Sequence, residues 1–494
     1  LPFALNTIVI CLRDRKAPFC HYVATMPDEP STPSDASRIF TEFMEAQGQT
    51  ARHIFGKLLP ELSFALPQGE DRDAMKDTAA ELQQLWHRFL GQQELPDQVP
   101  PILSDPEQWF EYLEAAYRQM PLAHPHRLTE MWRQNLDLWE NVLGQYGIGP
   151  RASEPGAASP DLPLKDRRFA DPRWREQPVF ALIHQTYLMA ARQLLSAVED
   201  AEGLDDHARD QWRFAMRTMI DALSPANFPM INPIVLERTM AQHGENLVKG
   251  MERLTADLER GQLTHTDNSA FELGKNIAIT PGKVVYETRL FQLIQYSPST
   301  DEVLEIPLVI FPPWINRFYI LDLNAKKSFV KWAVERGLTV FMVSWKSADE
   351  TLIDVTWDDY VRAQIEAIDQ IRKRLKVPSV HAIGYCVAGT TLAATLAILA
   401  RRGEADKVKS ATFFTAQVDF EKAGELKVFI DEAQIEMIRQ ASQKGWLDGR
   451  YMAATFNLLR GPELIWNYVV NNYLLAEDYP AFDLMYWNGD VTNL

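Results

Sequence analysis

From Ser37 to about Arg260 apolar residues recur three and four apart, the spacing that puts them on one face of an α-helix. The stretches RIFTEFMEAQGQTARHIFGKLL, DAMKDTAAELQQLWHRFLGQQ and EQPVFALIHQTYLMAARQLLSAVEDA carry this pattern most clearly. A Pro/Gly/Ser-rich run, GIGPRASEPGAASPDLPL, interrupts it and reads as a loop. No internal repeat is visible. Beyond Asn276 the period changes to two. PGKVVYETRLFQLIQYSP predicts two strands, and PLVIFPPW, LTVFMVSW, SVHAIGYC and SATFFTAQV are short buried runs separated by helical patterns near 325–336, 357–374 and 388–402. Thr356 and Asp359 form a capping pair for the second of these helices. Strand alternating with helix predicts a parallel sheet covered on both faces, with ligands gathering at the carboxyl ends of its strands. The expected organisation is a helical domain over 26–275 and an α/β domain over 276–494.

Composition narrows the class. A chain of 494 residues with 46% hydrophobic and 11% aromatic content has material for two globular domains. Its formal charge of −17 argues against a nucleic-acid binder, because phosphate binding needs a basic face. Cys11, Cys20 and Cys386 are too few for a disulfide framework, and no Cys/His cluster predicts a metal site. The isolated HPH at 124–126 is no exception. This cysteine usage fits a reducing, cytoplasmic setting. No apolar run reaches the roughly 20 residues of a membrane helix. Residues 1–25 open on Leu1 and place their positive charges after the apolar run, the reverse of a signal peptide, so they read as upstream or non-native sequence ahead of Met26.

Chemistry concentrates on Gly384-Tyr385-Cys386-Val387-Ala388-Gly389, where a buried strand runs into a helix without a gap. A nucleophile elbow needs a reactive side chain on a tight strand-to-helix turn with small residues around it. Gly384, Ala388 and Gly389 meet that need, with Cys386 in the nucleophile's place. The following helix N-terminus favours an anion and hence a thiolate, and the backbone N–H of Val387 is a candidate oxyanion donor. The alternative is a small buried cysteine with no chemistry, and on spacing alone the two readings are evenly matched.

Several blocks together resemble the class I polyhydroxyalkanoate synthases, from about residue 37 to the last residue. DRRFADPRWREQP (166–178) and SPANFPMINP (224–233) resemble the family's helical half, and PPWINRFYILDL (312–323), VSWKSAD, TWDDY, GYCVAGT, LIWNYVVNNYL and FDLMYWNGDVTNL its catalytic half. The resemblance implies an α/β-hydrolase-like sheet that polymerises (R)-3-hydroxyacyl-CoA into a polyester with release of CoA, through a thioester on Cys386. No cofactor is implied beyond the CoA thioester substrate. It also implies a homodimer on cytoplasmic polyester granules with granule-associated protein partners, and a lid over about 419–475. Cysteine suits this chemistry, because its thioester keeps the acyl group activated for the next hydroxyl. Within the elbow the chain departs from the family's second glycine, placing Ala388 there. A single methyl group is expected to be tolerated.

The resemblance extends to secondary positions. The strand ending at FPPWIN is where a hydrolase sheet supplies a second oxyanion donor, so Trp314 or Ile315 is the candidate, against a Pro-fixed turn with Trp314 in the core. Trp487 and Asp322 fall in blocks placed by the resemblance near the substrate cavity, against a core tryptophan and a loop-stabilising aspartate. No histidine follows Cys386. His381 lies five residues earlier on the same strand, about 16 Å away at full extension, and reads as a sheet residue. Asp419, Asp483 and Asp490 have no later histidine to orient, and Asp490 reads as structural. The triad acid and histidine are therefore expected outside this sequence, which is expected to be C-terminally incomplete with an exposed sheet edge. The rival functions are a cysteine-dependent hydrolase or thioesterase of the same architecture and a non-catalytic granule-binding protein.

Overall fold

The computed structural model describes residues 125–146, 166–201 and 204–494. The helices expected within 38–93, the loop at 147–164 and the segment 1–25 lie outside the described residues. Two compact units divide the rest. One holds the described residues up to Arg253 with Val469–Ala476, the other Leu254–Tyr468 with Glu477–Leu494.

The first unit is helical: α1 Pro125–Gln145, α2 Arg173–Glu176, α3 Pro178–Glu199, α4 Asp206–Ala222, α5 Pro233–Ala241 and the first part of α6 Glu245–Arg260. Pro178 and Pro233 open their helices at positions where a missing N–H costs nothing. Asp205 and Asn232 cap α4 and α5 by accepting from the N–H groups of Ala208 and Ile234. The apolar stripe of α3 buries Phe180, Ala181, Leu182 and Met189. Trp174 is fully buried, edge-on to Phe169 at 5.0 Å and to Phe180 at 5.7 Å. The unit boundary falls inside α6, ahead of the change of period after Asn276.

The second unit is built on a six-stranded sheet of order β1-β2-β6-β3-β7-β8. The strands are β1 Gly282–Glu287, β2 Phe291–Tyr296, β3 Leu308–Phe311, β6 Val340–Trp345, β7 Val380–Tyr385 and β8 Val408–Phe414. A separate hairpin joins β4 Asp322–Asn324 to β5 Lys327–Ser328. β1, β2 and β6 pair antiparallel; β6, β3, β7 and β8 pair parallel. Alternate residues serve opposite faces. Val309, Phe311, Phe341 and Val343 join the larger core beside α8 Trp357–Leu375 and α9 Val387–Arg401. Leu308, Ile310, Val340 and Met342 pack on the other face against α7 Phe329–Glu335.

The expected elements form with small differences. The hairpin β4/β5 takes the start of the helix expected at 325–336, since Ser328 caps α7 by accepting from the Lys331 N–H at 2.8 Å. β8 ends at Phe414 because Thr415 takes a left-handed conformation, φ 44°. The Thr356–Asp359 capping pair is present, the Thr356 N–H donating to the Asp359 carboxylate at 2.8 Å. After β8 come α10 Glu432–Ala441, α11 Gly449–Leu459, two π-helical turns and α12 Asp483–Gly489. Among the described strands β8 ends the sheet on one side, with Phe413 43% exposed. Among the described residues no helix is long and apolar enough to cross a membrane.

Candidate active site

Register brings the two predicted halves of the site to one edge. Phe311, the last residue of β3, lies opposite Gly384 of β7, so the FPPWIN loop and the Cys386 turn leave neighbouring parallel strands at the same end. Cys386 is partly exposed, with φ 54° and ψ −129°, a backbone conformation that L-residues rarely adopt. Such strain persists only where surrounding structure over-determines it. Here the Cys386 N–H donates to Phe414 O at 2.9 Å, and Cys386 O accepts from the Gly389 N–H at 2.8 Å. The turn is thus anchored from β8 on one side and from α9 on the other.

The glycines are required by space. A Cβ on Gly384 would lie 2.6 Å from the Gly389 Cα, and one on Gly389 would lie 2.5 Å from the Ala416 Cβ and 2.7 Å from Gly384 O. Strand and helix therefore touch backbone to backbone, leaving Cys386 at the apex. Ala388 is fully buried, and the Gly389–Cys386 hydrogen bond shows that its methyl group has not opened the turn. Val387 begins α9 and so has no carbonyl four residues earlier in the helix to receive its N–H.

On the neighbouring loop, Trp314 is buried, stacked on Tyr360 at 4.1 Å and edge-on to Trp345 and Trp357. Its indole is a core group. Its carbonyl accepts from the Thr492 hydroxyl, and Ile315 O accepts from the Thr492 N–H at 3.3 Å. Thr492 thus straps the loop. Trp487 donates its indole N–H to Arg317 O at 2.8 Å along the same segment. Asp490 accepts from Arg317 Nε at 3.1 Å and from the Tyr319 hydroxyl at 2.7 Å, so both of its carboxylate oxygens are engaged.

The remaining candidates have partners of their own. His381 sits at the start of β7, level with Leu308, with Nδ1 2.6 Å from the Ser410 hydroxyl. Asp322 is buried, accepting from the Thr280 hydroxyl and the Ser328 hydroxyl, both at 2.6 Å, and from the Thr280 N–H at 3.2 Å. Burial pushes its carboxyl up, and the Ser328 and Thr280 hydrogen bonds offset part of this. Asp483 pairs with Lys327 at 2.8 Å, and Asp419 caps the Glu421 N–H at 2.9 Å. Phe414, Ala416 and Thr492 escaped sequence reasoning. Only the last carried a signal, as part of the closing block.

A cysteine elbow at the carboxyl edge of a mainly parallel sheet defines an α/β-hydrolase-like protein. Comparison carries this further. The family described as "Poly-beta-hydroxybutyrate polymerase (PhaC) N-terminus" matches residues 165–333. Poly(3-hydroxyalkanoate) polymerase subunit PhaC of Rhizobium meliloti (strain 1021) is 46% identical over 383 residues, covering 76% of this chain and 62% of that protein. Poly(3-hydroxyalkanoate) polymerase of Methylorubrum extorquens is 46% identical over 372 residues, 74% of this chain and 60% of that protein. The PhaC subunit of Cupriavidus necator is 41% identical over 366 residues, 72% of this chain and 62% of that protein. The chain belongs to the poly(3-hydroxyalkanoate) polymerase family. It spans less than two thirds of the length of these relatives.

Proposed function

We propose that this protein polymerises (R)-3-hydroxyacyl-CoA into polyhydroxyalkanoate with release of CoA, Cys386 carrying the acyl group as a thioester. The observation that carries this reading is the strained Cys386 backbone at a glycine-lined strand-to-helix turn. The thiolate attacks the thioester carbonyl, and the oxyanion is received by the N–H of Val387 and that of Trp314 or Ile315. The C–S bond to CoA breaks and CoA leaves as the thiol, taking the proton that the base removed from Cys386. The hydroxyl of a second acyl unit then attacks the Cys386 thioester, forming the ester bond and returning its proton with the freed sulfur.

No histidine follows Cys386. In this reading the histidine base therefore comes from outside residues 387–494. The segment from about 419 to 475 serves as the lid, excluding water so that a hydroxyl rather than water takes the acyl group. The substrates are short-chain hydroxyacyl thioesters, and the protein acts as a homodimer on polyester granules in the cytoplasm, beside granule-associated proteins.

Incubation of the full-length protein with (R)-3-hydroxybutyryl-CoA tests the reading. Polymer and CoA are expected, and Cys386→Ala is expected to lower CoA release by about 10³-fold or more. Free hydroxy acid without polymer would instead identify a thioesterase. Unchanged CoA release from Cys386→Ala, or none from the wild type, would sink the assignment.

A further inference from the structure

A buried amide reaches the elbow from behind. Gln364 lies on α8 with no exposed surface, and its helix neighbours Ala363, Ala367 and Ile368 belong to the larger core. Its amide Nε2 donates to Ala388 O at 3.0 Å, and its Oε1 accepts from the Thr395 hydroxyl of α9 at 2.8 Å. A backbone carbonyl can only accept, so the nitrogen must face Ala388 and the oxygen is left for Thr395. The amide orientation is thereby decided by its partners.

The Ala388 carbonyl belongs to the peptide unit whose N–H is that of Gly389, and that N–H donates to Cys386 O at 2.8 Å. Three hydrogen bonds thus run in series: Thr395 hydroxyl to Gln364 oxygen, Gln364 nitrogen to Ala388 oxygen, Gly389 N–H to Cys386 oxygen. Each bond polarises the next, because a peptide whose oxygen accepts is a better donor at its nitrogen. The last link grips the residue held at φ 54° and ψ −129°. Holding a residue in such a region is costly, so its neighbours must fix it.

Helix stability alone does not call for this amide. A carbonyl in the first turn of a helix already has the N–H four residues ahead of it. Removing both side-chain polar groups therefore leaves no backbone group orphaned, and an apolar pair of similar shape would fill the space at least as well. The arrangement does one thing an apolar pair would not. It ties the Ala388–Gly389 peptide to a second helix.

We infer that Gln364, oriented by Thr395, is a positioning residue that sets the Cys386 sulfur at the apex of its turn. The inference rests on the reading of Cys386 as the nucleophile. Its role is distinct from that of the glycines: they make room for the turn, and Gln364 fixes where within that room the turn sits.

The test uses full-length protein carrying Gln364→Met, Thr395→Val or Thr395→Ser, with Cys386→Ala as reference. Three quantities are measured: CoA release from (R)-3-hydroxybutyryl-CoA, the rate of iodoacetamide alkylation at Cys386 followed by peptide mass spectrometry, and the denaturant midpoint. Gln364→Met is expected to lower kcat by about 10- to 100-fold with KM within about twofold, the size of effect that a small misplacement of a reacting group produces. Cys386 alkylation should slow in the same variant across the range between about pH 6 and 9, while the midpoint stays with the wild type. Thr395→Val should lose about fivefold in kcat, and Thr395→Ser should restore it because the hydroxyl returns.

Wild-type kcat and alkylation in Gln364→Met, or a kcat loss no larger than its loss of folded protein, would overturn the positioning role. The two readings fail separately. Wild-type CoA release from Cys386→Ala would remove the nucleophile assignment alone, and alkylation of Cys386 in Gln364→Met would still decide whether this amide sets the turn.

Discussion

His184 in the helical unit and Asp322 in the sheet unit are equally buried, each 1% exposed, yet they have opposite surroundings. Among the described residues neither ring nitrogen of His184 has a hydrogen-bond partner; the ring is stacked on Phe169 at 3.8 Å and edge-on to Trp174. Asp322 receives three hydrogen bonds from Thr280 and Ser328. One side chain behaves as an aromatic plate that happens to carry nitrogen. The other is the hub of a polar knot that holds the β4/β5 hairpin to the chain entering β1. The difference teaches that burial alone does not say what a polar side chain contributes; its partners do.

The largest effect expected from this contrast is at Asp322. Asp322→Ala removes the acceptor for three donors in one step and leaves a cavity. A buried donor without a partner costs about 1–3 kcal/mol, so the whole change should cost about 4 kcal/mol, read as a shift in the denaturant midpoint. A loss below about 1 kcal/mol would mean that the knot relaxes onto solvent and that the comparison with His184 has no force.

The pH dependence separates the two next. Burial lowers the His184 pKa from 6.5 to about 4, outweighing Asp166, which raises it; Arg168 and Arg175 lower it further. The folded value lies below the unfolded one, so stability from neutral His184 is present above pH 6.5 and is lost as the pH falls toward 4. At about 1.4 kcal/mol per pH unit the full loss is about 3.5 kcal/mol. Asp322 acts in the other direction. Its folded pKa is raised, so its contribution is greatest below the ordinary carboxyl value and declines as the pH rises through the folded one. Urea titrations of the wild type and His184→Phe at a series of pH values check this, and the variant is expected to lose the decline between pH 6.5 and 4. An equal decline in both proteins would assign it to other groups.

What the residue pattern made legible follows the same division between local and distant causes. The elbow was readable because its requirements are local: an apolar strand, Gly384 two residues before the cysteine, small residues after it, and a helix without a gap. The Thr356–Asp359 cap was readable for the same reason. The groups that hold the elbow were not. The Ala416 Cβ meets the position a Gly389 side chain would take, and Phe414 O receives the Cys386 N–H, but only the pairing of β8 with β7 brings them there. Thr492 reaches Trp314 across 178 positions. Gln364 and Thr395 each sit at an ordinary buried position of an amphipathic helix, where a polar residue breaks the apolar pattern without saying which atom it serves.

The smallest expected effects set the sharpest test of the comparison, because there the sign matters more than the size. Thr280→Val keeps the shape of the side chain and removes one of the three donors to Asp322, leaving the carboxylate with the Thr280 N–H and the Ser328 hydroxyl. It should cost about 1 kcal/mol, the net worth of one hydrogen bond, or somewhat more because the acceptor is charged. His184→Phe, measured at about pH 7.5 where the imidazole is neutral, keeps a ring against Phe169 and removes two polar atoms that have no partner among the described residues. Relief of their desolvation opposes the strain of a slightly larger ring, so the change should be neutral or stabilising by up to about 1 kcal/mol. Two substitutions of similar modesty thus shift the denaturant midpoint in opposite directions, or one shifts it down and the other leaves it in place. A loss of about 2 kcal/mol or more in His184→Phe would show that the ring nitrogens do have a partner worth keeping, and the contrast between an unpartnered ring and a saturated carboxylate would no longer hold.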